Sequence, residues 1–212
     1  MPPPSHSPRF AIEDCPAYIL AGGKSSRFGS DKALVRVQGE VLLPRLRRQL
    51  VHQGHAVFII ADRRQRYRQL HMDCLVDQVP DRGPLAALAT ALQHRRGQWG
   101  AGWSLLLSCD QIEWQPDWYP QLANAAHTGL EAITFWEEDI QQKRLLQPLP
   151  GLYHTCLLPA VETLLRDDPR GSLRQLIEGA SGHSVLAQSS NPRAWSFNTT
   201  AELAQRRHLL EQ

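Results

Sequence analysis

One stretch near the start of the sequence combines the residue types that bind phosphate groups. It spans residues 18–32 and reads YILAGGKSSRFGSDK, a short apolar run followed by a loop rich in glycine, serine and basic residues. We call residues 21–32 the signature loop. Glycine lets the backbone come close to phosphate oxygens, and successive backbone N–H groups form an anion-binding concavity. Arg27 adds a planar guanidinium and Lys32 a compact positive charge, so the loop is predicted to bind phosphate.

Two common phosphate-binding motifs do not fit this loop. The P-loop pattern G-x-x-x-x-G-K-[ST] fails because Gly23 and Gly29 have the wrong spacing and Ser-Asp follows them. The dinucleotide pattern G-x-G-x-x-G fails because Gly22 and Gly23 are adjacent. The loop is therefore predicted to bind phosphate in another way.

Three aspartates follow apolar runs further along the chain. Asp62 and Asp77 come directly after the apolar residues 56–61 and 75–76. Asp110 follows residues 104–108, with Cys109 between them. All three runs are predicted strands. The carboxyl ends of parallel strands lie along one rim, so these carboxylates should face the same crevice as the signature loop. Carboxylates hold Mg²⁺, which in turn bridges phosphates. The pattern predicts a metal-dependent nucleotide enzyme with Asp110 as the preferred Mg²⁺ ligand, whereas Asp62 could equally be a capping residue.

The elements that must position these residues alternate between strand and helix. Apolar runs predict strands at 17–20, 56–61, 75–76, 104–108 and 131–136, with helices at 44–53, from 84 onward and at 118–127. The basic segment 63–70 is also expected to be helical, an edge strand is expected at 195–198, and Thr200 should cap a terminal helix. This alternation predicts an α/β fold, a Rossmann-like three-layer α/β/α sandwich around a mostly parallel sheet.

Length and composition limit the class of protein. The chain has 212 residues, 42% hydrophobic and 21% charged, which is typical of a globular protein. One domain is expected at 16–212, after a flexible extension at 1–15. The net charge of +2 gives no reason to expect nucleic acid as a partner, and no apolar run approaches the about 18 residues of a membrane span. Four scattered cysteines without a C-x-x-C pair indicate buried thiols in a reducing, cytoplasmic compartment.

The signature loop resembles the pattern L-A-G-G-x-x-x-R-[MF]-G-x-D-K of the molybdenum cofactor guanylyltransferase family. Three further segments are similar to motifs of that family and follow in the same order. They are GPLAAL at 83–88, similar to G-P-L-A-G; SCD at 108–110, similar to P-C-D; and FNTTAEL at 197–203, similar to the N-[TV]-[NP]-x-x-[DE]-L ending. The resemblance covers nearly the whole chain and implies a fold of the nucleotide-diphospho-sugar transferase type.

The resemblance also implies roles for individual residues. Asp77 would contact the nucleoside, Gly83 would lie beside the guanine, and Asp110 would hold Mg²⁺. Arg27 and Lys32 would bind the triphosphate and, with Asp110, form the catalytic set. The residues implied to bind the nucleotide are Leu20, Ala21, Gly22, Gly23, Lys32, Asp77, Gly83 and Asp110.

The reaction implied by the resemblance is attack by the terminal phosphate of a molybdenum-bound molybdopterin on the α-phosphorus of GTP, with release of pyrophosphate. Because the attacking phosphate is already an anion, positioning and charge stabilisation should supply most of the rate enhancement. Molybdoenzyme chaperones are implied as further partners. Three alternatives stay open: the same pterin with CTP, another acceptor such as a sugar 1-phosphate, and a nucleotide-binding module without chemistry.

Overall fold

The apolar runs of the sequence form one seven-stranded sheet in the computed structural model, which describes residues 14–22, 28–79, 81–138, 141, 143–186 and 195–207. Gly23, Arg27 and residues 1–13 of the predicted extension therefore lie outside the described residues. The described strands are β1 (Ala17–Leu20), β2 (Arg36–Val37), β3 (Glu40–Val41), β4 (Val57–Ala61), β5 (Leu75–Val76), β6 (Trp103–Ser108), β7 (Ala132–Glu138), β8 (Arg144–His154) and β9 (Gly182–Leu186). β2 and β3 form a separate two-stranded hairpin.

The order of strands in the large sheet is β5-β4-β1-β6-β8-β7-β9. Every strand of this sheet runs in one direction except β8, which is antiparallel to both β6 and β7. The register aligns Leu20 of β1 with Ile60 of β4 and with Ser108 of β6. These three strands therefore end at the same level, and the residues that follow them meet at one rim. The prediction of a mostly parallel sheet is confirmed.

Helices cover both faces of the sheet. One face is packed by α1 (Leu42–His52), α3 (Trp118–Ala125) and α6 (Thr200–Arg207), and the other by α2 (Gly83–Trp99), α4 (Leu158–Asp167) and α5 (Leu173–Gly179). This arrangement confirms the predicted three-layer sandwich. In the described part of the chain, no helix combines the length and apolar character needed to cross a membrane.

The start of α2 is fixed beside the rim of the sheet. Gly83 has a φ of +63°, which glycine adopts without strain, and Pro84 follows in the first helical turn. Arg82 donates hydrogen bonds to the carbonyl of Leu165 (2.7 Å) and to that of Asp168. The N-terminal end of α2 is thereby tied to the C-terminal end of α4.

Several local predictions were wrong, and each error has a physical cause. Residues 195–198 form no strand, because Ser196 makes only an isolated bridge to Gln111, and the far edge of the sheet is instead formed by β9. The cap of α6 is Thr199 rather than Thr200: its hydroxyl accepts from the Glu202 N–H (3.1 Å), and the Glu202 carboxylate accepts from the Thr199 N–H (3.2 Å). This reciprocal pair is a capping box, which fixes the helix start one residue earlier.

The basic segment 63–70 and the cysteines also differ from expectation. Only Arg68–Leu70 forms a short 3₁₀ turn, and the residues before it are a non-helical excursion from the end of β4. Cys15 and Cys74 are buried as expected, but Cys156 is exposed. Among the described residues all four thiols are free.

Candidate functional site

A cleft of about 800 Å³ opens where β1, β4, β5 and β6 end. Every described residue that sequence analysis placed in the nucleotide or metal site lines this cleft. These residues are Leu20, Ala21, Gly22, Lys32, Asp77, Gly83 and Asp110. The common level of the strand ends explains why residues so far apart in sequence meet here.

Lys32 and Asp110 face each other at the end of β6. The Lys32 ammonium lies 3.5 Å from Asp110 Oδ2 and donates to the carbonyl of Phe197 (3.0 Å) and to Asn198 Oδ1 (2.9 Å). The side chains of Lys32 and Asp110 are only 15% and 18% exposed. Burial raises the pKa of the Asp110 carboxyl, and the charge of Lys32 opposes that rise. A ligand that brings both phosphate and a cation would offer each of these groups a new partner.

The second half of the signature loop is held by residues that follow β4. Asp31 Oδ2 accepts from Arg66 Nε (3.1 Å) and Nη2 (3.0 Å), while Arg66 Nη1 donates to Asp62 Oδ1 (2.7 Å). The Tyr67 hydroxyl donates to the carbonyl of Ala21 and also lies 3.1 Å from Asp31 Oδ2. Asp62 thus belongs to the cleft wall as one partner of Arg66 and is not a helix cap.

The opposite end of the cleft is formed by Asp77 and the start of α2. The Asp77 N–H donates to the carbonyl of Ala61 (2.9 Å), and its carboxylate accepts from the Val79 N–H (3.1 Å). Burial raises the pKa of Asp77, which the hydrogen bond from Val79 opposes. Gly83 also lines the cleft, so the cleft offers a ligand the Asp77 carboxylate and the backbone at the start of α2.

Two carboxylates line the cleft near Lys32, those of Asp31 and Asp110, and Asp31 is already paired with Arg66. Across the residues that the structure describes, no group of three or more His, Cys, Asp and Glu side chains is placed to hold a metal. Mg²⁺ commonly binds through one or two carboxylates together with substrate phosphates and water. Asp110 fits that mode, in which the nucleotide itself completes the coordination.

The protein-family model of the MobA-like NTP transferase domain matches residues 17–186 of the chain. The chain belongs to this family. A relative from Deinococcus radiodurans, described as a probable molybdenum cofactor guanylyltransferase, is 36% identical over 190 residues, 89% of this chain and 92% of that protein. A relative from Nostoc with the same description is 28% identical and covers 89% of this chain and 88% of its own length. The family resemblance drawn from the sequence motifs is confirmed.

Solved structures of similar fold include other nucleotidyltransferases. The molybdopterin-guanine dinucleotide biosynthesis protein A of Archaeoglobus fulgidus superposes with a TM-score of 0.73 at 15% identity, over 92% of this chain and 98% of that one. The 4-diphosphocytidyl-2C-methyl-D-erythritol synthase of Anaerococcus prevotii superposes with a TM-score of 0.69 at 12% identity, over 93% and 98%. At these identities the likeness establishes the fold, and it confirms the nucleotide-diphospho-sugar transferase type in this MobA-like chain.

Sequence analysis assigned no role to Arg66, Tyr67 or Asn198. Asp62 and Arg66 have the i,i+4 spacing of an ion pair on the surface of a helix, and a helix was predicted there. That prediction gave no reason to expect a contact between Arg66 and Asp31. Asn198 belongs to the family's ending motif, but its contact with Lys32 spans 166 residues. No local pattern could have predicted it.

Proposed function

We propose that this MobA-like protein transfers GMP from GTP to the terminal phosphate of a molybdenum-bound molybdopterin, forming the molybdopterin guanine dinucleotide cofactor and pyrophosphate. Family membership and the descriptions of the similar curated proteins support this reaction. The observation that carries the proposal is the pairing of Lys32 with Asp110 at one end of a cleft. Residues of the signature loop and of the motifs at 83–88 and 108–110 line that cleft.

The chain's own residues divide the work along the cleft. Lys32 binds the triphosphate and offsets charge that develops at the α-phosphorus, while Ala21 and Gly22, which line the cleft, offer backbone groups to the phosphates. Asp110 holds Mg²⁺, which when bound supplies further charge stabilisation to the phosphates. Asp77 and Gly83 receive the nucleoside at the other end. Since the attacking phosphate is an anion, no strong general base is required.

The choice of base is the first property to test. Calorimetric titration of GTP, CTP and ATP, each with and without Mg²⁺, should show magnesium-dependent preference for GTP. A preference for CTP would move the protein to cytidylyl transfer with the same cleft. No binding of any nucleotide would overturn the proposed function.

The role of Asp110 has its own test. Asp110→Asn should abolish Mg²⁺-dependent release of pyrophosphate, because the amide is a poor ligand for a hard cation, while circular dichroism shows the fold unchanged. Asp167→Asn is a matched control, since Asp167 is exposed on α4 and pairs with the neighbouring Arg166. Unchanged magnesium dependence in Asp110→Asn would contradict the assignment. Handover of the product to molybdoenzyme chaperones is part of the proposal and is supported only by the family resemblance.

A further inference from the structure

The two ends of the signature loop meet at a single buried side chain. Tyr67 is fully buried, and its hydroxyl contacts the carbonyl of Ala21, at the start of the loop, and the carboxylate of Asp31, just before Lys32. Of the described residues between these points, Gly22, Gly29 and Ser30 line the cleft. The phenol therefore ties the end of β1 to the residue that precedes Lys32.

Arg66 holds the same carboxylate from the side. Its three donating nitrogens reach two carboxylates, Asp31 and Asp62, at 2.7 to 3.1 Å. The side chains of Arg66 and Asp31 are only 18% and 20% exposed, so the hydrogen bonds between them are largely shielded from water, whereas Asp62 is more open to solvent. A planar fork can satisfy both acceptors at once, whereas a lysine ammonium presents no such geometry.

Asp31, held by Arg66 and Tyr67, in turn fixes the backbone around Lys32. Its Oδ1 accepts from the Ala33 N–H (3.1 Å) and caps the short 3₁₀ turn Lys32–Leu34. Lys32 lies between the capping residue and the capped amide, so the direction of its side chain depends on where Asp31 is held. Arg66 also neutralises two carboxylates, Asp31 and Asp62, that would otherwise repel phosphate from this part of the cleft.

We propose that Arg66 and Tyr67 form a clamp that positions Lys32 for the triphosphate. Arg66 is a positioning residue because it acts through Asp31, and the inference rests on the proposed function for the identity of the ligand. Two consequences follow. Loss of the clamp weakens nucleotide binding in proportion to the number of phosphates, and the loss depends on the presence of Lys32.

The first test compares Arg66→Gln and Arg66→Lys with the parent protein, using guanosine, GMP and GTP as calorimetric probes. Arg66→Gln should weaken GTP binding by about tenfold or more, the value of one lost charge-assisted contact, and leave guanosine binding within about twofold. Arg66→Lys keeps the charge without the fork and should fall between the two. Arg63→Lys and Arg63→Gln are the matched controls, because Arg63 is exposed on the same excursion. Equal losses for guanosine and GTP would overturn the clamp.

The second test is a double-mutant cycle of Arg66→Gln and Lys32→Ala. If the clamp acts through Lys32, the Arg66 change should cost markedly less GTP affinity when Lys32 is already absent. Additive losses would overturn that route. Hydrogen exchange of the Ala33 amide gives a readout in the nucleotide-free protein, where Arg66→Gln should speed exchange by about tenfold. Unchanged exchange would refute the clamp without affecting the proposed function, whereas faster exchange in a protein that binds no nucleotide would refute only the function.

Discussion

Gly22 lies where the signature loop passes over the end of β4, and a methyl group there has no room. A Cβ added at Gly22 would lie 3.0 Å from Ala61 Cα and 3.0 Å from Asp62 N, both of them backbone atoms. Neither can rotate away, because Ala61 is held by the hydrogen bond that its carbonyl accepts from the Asp77 N–H (2.9 Å). In Gly22→Ala the loop must therefore lift from β4 or the strand end must shift.

The cost follows from the size of the clash. Forcing an extra methyl group into a packed site costs about 1 to 3 kcal/mol. In a chain of this length each kcal/mol corresponds to about 2 to 4 °C, so the melting temperature should fall by about 2 to 12 °C. GTP affinity should also fall, by about tenfold, because a lifted loop withdraws its backbone N–H groups from the phosphates.

The matched control is Gly97→Ala in α2. It makes the same chemical change, but within the described structure no atom other than those of the adjoining residues and the local helix backbone lies within 4 Å of the added Cβ. Alanine is favoured over glycine inside a helix by about 0.5 to 1 kcal/mol, so this variant should melt slightly higher than the parent. Differential scanning calorimetry measures the melting temperature of both variants, and calorimetric titration measures their affinity for GTP. If Gly22→Ala melts at the same temperature as the parent and binds GTP as tightly, the inference that Gly22 packs too closely against β4 to accept a methyl group is wrong.

Two further predictions concern charged residues of the cleft. Lys32→Ala should weaken GTP binding about tenfold or more. It should also raise the pKa of Asp110 further, since the largest effect that opposes burial is then lost, and move the acid limb of the kcat/KM profile to higher pH. An unmoved limb would contradict the pairing. The raised pKa of Asp77 means that its contribution to stability is fully present below its unfolded pKa of about 3.9 and is lost as pH rises through the folded value. Asp77→Asn should therefore be more stable than the parent at neutral pH but not in acid, and it should bind GTP less tightly. Denaturant unfolding at both pH values measures the free energy of unfolding of the two proteins. The same difference between them at both pH values would contradict this prediction.

The placement of Asp77 and Asp110 at the cleft could be predicted because it depends on chain order alone. Each aspartate closely follows an apolar run, and the ends of parallel strands share one rim. The register of β1 with β4 and β6 then brings both to the level of the signature loop. Sequence was therefore sufficient to place these two carboxylates at the cleft.

Contacts between distant segments could not be predicted in this way. β9 has the sequence GHSVL, which lacks an apolar run, and it becomes a strand by pairing with the edge of β7. The partners of Lys32 at the C-terminal end lie 165 and 166 residues away. Arg66 was expected on a helix, and only the tertiary structure brings it to Asp31.

The described parts of the signature loop are held at three points, and each should respond differently to substitution. Gly22 rests on the backbone of β4, Asp31 is held by Arg66 and Tyr67, and Lys32 meets Asp110 and the C-terminal segment. Each anchor acts through a different physical effect: steric contact, hydrogen-bond geometry and charge. Loss of the first should lower melting temperature and affinity together, loss of the second should scale with phosphate number, and loss of the third should shift the pH profile. The second and third effects are linked, because the clamp acts through Lys32, so the affinity lost in Lys32→Ala should also scale with phosphate number. A shifted pH profile in Arg66→Gln would show that displacement of Lys32 also breaks its pairing with Asp110.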